Sequence, residues 1–240
     1  MGLIGATALD ITPRFAIPEK FTTSDVVDED LQPAMRTLLL SVRLVFPWLS
    51  PIAQALRMMS SVAKTVNANS FNQDFWRDAV GAVVLLGPVT HYLLSLQRPT
   101  GPISEASRAV IVSELARLTC LIFLSRLKAL FTLNALDIER LSLKILSSAA
   151  QSTNDDGEND ILTDVKLWAV VSSALLLPCN QARALLPYIR ATARAKGISE
   201  VSSAVDLAKR LIWIETLEEP RVNGLMDEFN AITSQSSDTD

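Results

Sequence analysis

Cysteine, histidine and glycine are scarce in this chain, and each shortage removes a class of function. The two cysteines, Cys120 and Cys179, stand 59 positions apart among apolar neighbours. They read as small buried hydrophobes, since neither a disulfide framework nor a four-ligand zinc site can be assembled from two distant thiols and one imidazole. That imidazole, His91, lies within Thr90-His91-Tyr92-Leu93-Leu94, where a helix-side, hydrogen-bonded role is expected. As the sole histidine it leaves a Ser–His–Asp or Cys–His arrangement a single candidate. The eight glycines are scattered singly, so neither a phosphate-binding loop nor a dinucleotide fingerprint is present. No catalytic, cofactor-binding or metal-ligating residue is named by the sequence.

Basic surface is also short. Twenty-two Lys and Arg against 26 Asp and Glu give a net charge of −4, which opposes the sequence-independent hold on phosphates that duplex-binding proteins use. Arg183, Arg190, Arg194 and Lys196 cluster at spacings that suit the solvated side of one helix. The acidic run Asp155-Asp156-Gly157-Glu158-Asn159-Asp160 lacks the alternating ligands an EF-hand loop needs before its glycine, and reads as a solvated turn. Met1 to Leu9 has no basic leader region. The uncharged stretches Ala79 to Gln97 and Leu167 to Ala182 are interrupted by Gly87-Pro88 and Pro178, so no membrane span and an intracellular location, cytoplasmic or nuclear, are expected.

Apolar residues at helical spacing are abundant: 49% of the chain is hydrophobic, enough for several fully buried helices. Ser104 to Phe131 contains no Gly or Pro and is apolar on more than one face past Leu115, which marks a central core helix, with Ser104 placed as its N-cap and Glu105 in its first turn. Leu162 to Leu177 is a second helix apolar nearly all round, expected to pack beside it. Met35, Leu38, Leu39, Val42 and Phe46 define one face of a helix opened by Pro33 and ended by Pro47. Ile52, Ala55, Leu56, Met59, Val62, Ala63 and Val66 repeat that pattern in its partner.

Further helices are predicted over Phe75 to Leu86 and Val89 to Leu96, separated at Gly87-Pro88; around Ile138 to Ala149; over Ala182 to Lys196, started or kinked at Pro187 and closed by Gly197; from a Ser199 cap to Leu217; and from Pro220 onward. No segment alternates as a strand does, and no hairpin signal occurs. The expected fold is all-α: one domain of about ten helices over residues 31–233, between a loose arm, 1–30, and a short polar tail, 234–240.

Four pieces of the chain, taken in order, carry a resemblance. Glu114-Leu115-Ala116-Arg117-Leu118-Thr119-Cys120-Leu121-Ile122-Phe123-Leu124 looks like the central helix of the fungal-specific transcription factor domain, the helical regulatory region of binuclear zinc cluster proteins. Before it, Thr90-His91-Tyr92-Leu93-Leu94-Ser95-Leu96 resembles that family's His-x-Leu-Leu segment. After it, Val165-Lys166-Leu167-Trp168-Ala169-Val170-Val171-Ser172-Ser173 resembles a buried Trp-bearing helix. Leu211-Ile212-Trp213-Ile214-Glu215, with Glu219-Pro220 and Leu225-Met226-Asp227-Glu228, resembles the closing segment.

The resemblance covers roughly residues 90–229, and it implies the helical regulatory body without its DNA reader, because that reader needs six cysteines around two zinc ions. A standalone paralogue, a truncated product and a redeployed scaffold all fit. The expected role is a non-enzymatic regulatory or protein-interaction domain that does not itself contact DNA and engages a protein partner or a small apolar ligand. The alternative is an all-helical enzyme, cyclase or isomerase in type, with an apolar pocket. Arg117, Trp168 and Trp213 are expected to have structural roles, the arginine paired with an acid such as Glu114 and both indoles donating hydrogen bonds.

Overall fold

Apolar residues on every face of a helix can be satisfied only if other helices surround it, and two stretches of the chain meet that condition. The computed structural model describes residues 31–97, 107–133, 138–152 and 161–237. Its helices are α1 (Pro33–Val45), α2 (Ser50–Asn69), α3 (Gln73–Arg77), α4 (Ala79–Ser95), α5 (Arg108–Leu130), α6 (Ile138–Gln151), α7 (Ile161–Leu176), α8 (Cys179–Ala195), α9 (Val201–Lys209), α10 (Glu215–Glu218) and α11 (Val222–Ser237), with 3-10 turns at Pro47–Leu49 and Glu219–Arg221. No strand occurs among the described residues, and the fold is all-α.

Helix α5 is the centre. Every residue from Leu115 to Ser125 is buried, as is every residue of α7 and its end from Val165 to Leu177. The two helices face each other through the parallel rings of Phe123 and Trp168, 6.3 Å between centroids, and through a polar contact in which the Thr119 and Ser173 hydroxyls lie 3.0 Å apart. Thr119 and Ser125 also donate to the carbonyls of Leu115 and Leu121 one turn back, so these hydroxyls enter the core already bonded. Helices α2, α4 and α6 pack on other sides of α5, while α8, α9 and α10 cover α7.

Helices α1 and α2 pair as their periodicity predicts, burying Met35, Leu38 and Val42 against Ile52, Ala55, Leu56 and Met59. Phe75 and Trp76 of α3 close over Phe131 at the end of α5, with ring centroids 5.1 and 4.9 Å from it.

Several boundaries differ from those the sequence suggests. The central helix begins at Arg108 behind Ser107, which makes no side-chain cap; Ser104 and Glu105 lie outside the described residues. The chain does not break at Gly87-Pro88 but at Asp78, whose carboxylate accepts the Gly81 N–H at 2.8 Å and opens a continuous α4. Pro88 is tolerated because the carbonyl it leaves without a donor, that of Val84, sits on the exposed side of the helix. A Cβ at position 81 would enter the space of the Asp78 carboxylate, so a side chain there would have to displace the cap.

Pro187 likewise lies inside α8, which begins at Cys179 rather than Ala182. Cys179 is exposed, contrary to its apolar sequence setting, while Cys120 is buried as expected and its burial raises the thiol above its ordinary range. At the end of α8 the expected glycine does its work: Gly197, with φ +70°, turns the chain so that its N–H reaches the Arg194 carbonyl and that of Ile198 reaches Ala193, both at 2.9 Å.

The helix expected from Ser199 to Leu217 begins at Val201 behind Glu200, which makes no side-chain cap, and stops at Lys209. The cause is Leu211-Ile212-Trp213-Ile214, four consecutive buried residues at the edge of the core. A lone surface helix cannot turn four successive side chains inward, so the segment leaves helical geometry and its backbone is satisfied from elsewhere. Trp168 donates its indole N–H to the Ile212 carbonyl at 2.9 Å; Asn67 donates to the Trp213 carbonyl and accepts from the Glu215 N–H; Glu218 accepts from the Ile214 N–H at 2.8 Å. Among the described residues the indole of Trp213 finds no acceptor of the kind the sequence reading assigns it; its ring lies instead beneath the Lys209 amine, 5.0 Å away. The arm, 1–30, the end of the tail, 238–240, and the acidic run of 155–160 lie outside the described residues, and α11 continues to Ser237.

Candidate functional site

Between α1, α2, α5 and α7 a space lined by residues such as Leu38, Leu56 and Val112 measures only about 20 Å³, scarcely room for one water. At the surface, a cleft of about 370 Å³ lies between the Pro47–Leu49 turn, the start of α2, the end of α4 and the first turns of α5.

Its walls are Trp48, Leu49, Pro51, Ile52, Leu96 and Val110. Its polar groups are Gln97, Ser113, Glu114 and Arg117. Pro47 and Pro51 fix the sharp corner between α1 and α2, and that corner leaves the Trp48 ring 63% exposed at the rim, edge-on to Phe46 at 5.7 Å. Leu40, Leu44 and Val45 continue an exposed apolar strip along the outer side of α1. On the far side of Pro51 a second cleft of about 360 Å³ runs past Leu39, Val42 and Arg57 to Tyr92, whose hydroxyl donates to the Pro51 carbonyl at 3.2 Å and ties α4 to the corner.

Arg117 is where the sequence places it, charged within an apolar helix, and its partner is the expected one. Its Nε and Nη2 reach the two carboxylate oxygens of Glu114 at 2.7 and 2.8 Å, one turn earlier on α5, and Nη1 points toward the Leu93 carbonyl at 3.5 Å. The guanidinium is buried and the carboxylate nearly so. Both carboxylate oxygens are occupied by the fork, so the cleft offers a fixed, neutralised pair rather than a poised acid and base.

The remaining sequence candidates are dispersed. His91 sits on α4 with its Nδ1 3.2 Å from the Ser95 hydroxyl. The basic group on α8 divides: Lys196 pairs with Asp164, Arg183 stands 3.7 Å from Glu228, and Arg190 and Arg194 border a separate cleft of about 310 Å³ with Glu200 and Phe229. Among the described residues no group of three or more His, Cys, Asp or Glu side chains could hold a metal ion, and no helix is long and apolar enough to cross a membrane.

Sequence reasoning missed three buried charges. Lys166 donates to the Ser152 carbonyl at 2.7 Å, tying α7 to the end of α6. Lys128 is buried near the end of α5, and loss of hydration lowers its amine to about 8. Glu218 is fully buried; burial raises its carboxyl to about 8, against the opposing pull of the Ile214 N–H and the Ser172 hydroxyl. Nothing local marks these positions, since each sits in a stretch with other charged or polar residues and only the packing around it removes water. No family model, curated protein or solved structure matches this chain.

Proposed function

We propose that the chain is a regulatory or protein-interaction domain, resembling the helical regulatory region of fungal zinc cluster proteins, that engages a partner at the Trp48 corner and does not itself read DNA. The observation that carries this reading is an open, mostly apolar surface cleft whose rim presents an exposed tryptophan beside Leu44 and Val45. Exposed aromatic and aliphatic side chains clustered at one corner are costly in water and are the usual anchors of protein interfaces. A catalytic pocket, by contrast, needs convergent groups free to exchange protons, and the acid and base in this cleft bind each other.

The test fuses the whole chain to a heterologous DNA-binding module and measures reporter output in cells, with Trp48→Glu and Leu44→Glu as variants. A regulatory domain changes reporter output, and the substitutions abolish that change while circular dichroism and expression stay normal. No effect of the wild-type fusion, or an effect indifferent to both substitutions, overturns the reading. For the second half, fluorescence anisotropy with duplex DNA is expected to give no sequence preference; selective binding tighter than roughly micromolar at physiological salt refutes it.

A further inference from the structure

The carboxyl end of α7 is closed by two arginines from different parts of the chain. Arg126, on α5, donates Nε to the Leu176 carbonyl at 2.8 Å. Arg221, from the second 3-10 turn, donates Nη1 to the carbonyls of Leu175 at 2.8 Å and Leu177 at 2.7 Å. Three consecutive carbonyls therefore anchor two guanidiniums side by side, at the opposite end of α5 from the Trp48 cleft.

A helix end carries roughly half a negative charge, which one cation offsets. Two leave an excess of positive charge, and no carboxylate partners either guanidinium among the described residues. The acids adjacent to Arg221 in sequence are engaged elsewhere: Glu218 holds the Ile214 N–H, and Glu219 pairs with Lys209 at 2.9 Å. Partial burial lowers the proton affinity of Arg126, and the nearby charge of Arg221 lowers it further, so the two cations oppose each other. Capping uses only Nε of one fork and Nη1 of the other. The remaining guanidinium N–H groups, held in place by those bonds, are left to other acceptors, and Arg221 is exposed while Arg126 is partly so.

We propose that Arg126 and Arg221 form a binding site for a phosphate dianion, either free phosphate or a phosphate monoester carried by a partner. Two forks presenting several N–H donors match the three terminal oxygens and double charge of such a group better than the two oxygens and single charge of a carboxylate. The backbone anchors orient both forks before the ligand arrives, so little side-chain freedom is lost on binding.

Calorimetric titration of the full chain with inorganic phosphate at pH 8 and low ionic strength tests this. One saturable site is expected, with chloride unable to replace phosphate. Arg126→Gln and Arg221→Gln should each weaken binding about tenfold to a hundredfold, the scale of a lost charge-assisted pair. Arg221→Lys, which keeps the charge but not the fork, should also weaken it. Since Arg221 is exposed, its two variants decide the matter even if Arg126→Gln fails to fold. A phosphoserine peptide that binds more tightly than inorganic phosphate identifies a partner as the source; the reverse order identifies a free phosphate. Absence of saturation up to about 20 mM phosphate, equal binding of chloride, or affinity unchanged in Arg221→Gln overturns the proposal.

Discussion

Glu218→Gln should make the protein more stable at neutral pH, although it replaces a buried side chain that bonds the backbone. In the folded chain the Glu218 carboxyl is fully buried, with one oxygen accepting the Ile214 N–H and the Ser172 hydroxyl as its other polar neighbour. Burial moves its proton loss from 4.5 to about 8. Below pH 4.5 folded and unfolded chains both carry the proton. Between 4.5 and about 8 only the folded chain does, so the unfolded state binds one proton fewer and stability falls as pH rises, by about 1.4 kcal/mol per pH unit.

Glutamine keeps the acceptor for Ile214, places an N–H₂ where the protonated acid has its O–H, and does not titrate. The stability difference between variant and wild type should therefore grow by about 2–3 kcal/mol from pH 5 to pH 7, or roughly 5–10 °C in melting temperature for a chain of this size. Urea denaturation of both proteins at pH 5, 6, 7 and 8 measures it. Comparing the change with pH, rather than stability at one pH, cancels any packing difference between acid and amide. Curves that run parallel within about 0.5 kcal/mol refute the reasoning and place the folded carboxyl near its ordinary range.

Lys128→Met should raise the melting temperature at pH 7, because the buried amine, lowered to about 8 from 10.5, costs folding energy while it remains charged. The wild type should recover about 2–3 kcal/mol relative to the variant as pH rises from 8 toward 10.5, where only the unfolded chain still holds the extra proton. Arg117→Met should destabilise the fold by about 3–5 kcal/mol by leaving the Glu114 carboxylate without its partner, whereas the double variant Glu114→Gln/Arg117→Met should regain more than half of that loss in a denaturation cycle.

Much of the fold is legible in composition and spacing alone. Helices α5 and α7 declare themselves because a fully surrounded helix must be apolar on all faces, and Leu118, Leu121, Ile122, Trp168 and Leu175 are buried as that demands. The α1–α2 pair and the Gly197 terminus are equally local matters, one of periodicity and one of backbone conformation. What misleads is punctuation whose cost depends on its surroundings. Pro88 and Pro187 are carried inside helices, while Asp78, an unremarkable acid in the sequence, ends one helix and starts another by capping Gly81.

The pairing of Arg117 with Glu114 is visible beforehand because both lie on one helix three residues apart, where geometry is set by the backbone. The cleft they border is not, for it is made by α2 and α4 reaching the same end of α5 from distant parts of the chain. Sequence by itself determined which segments are helices and which faces avoid water, since those depend on neighbours within a turn or two. Only the tertiary structure decided where four buried residues must abandon a helix, which acid and which lysine lose their hydration, and which two arginines meet at the end of α7, because each depends on groups tens of residues apart competing for the same water-free space.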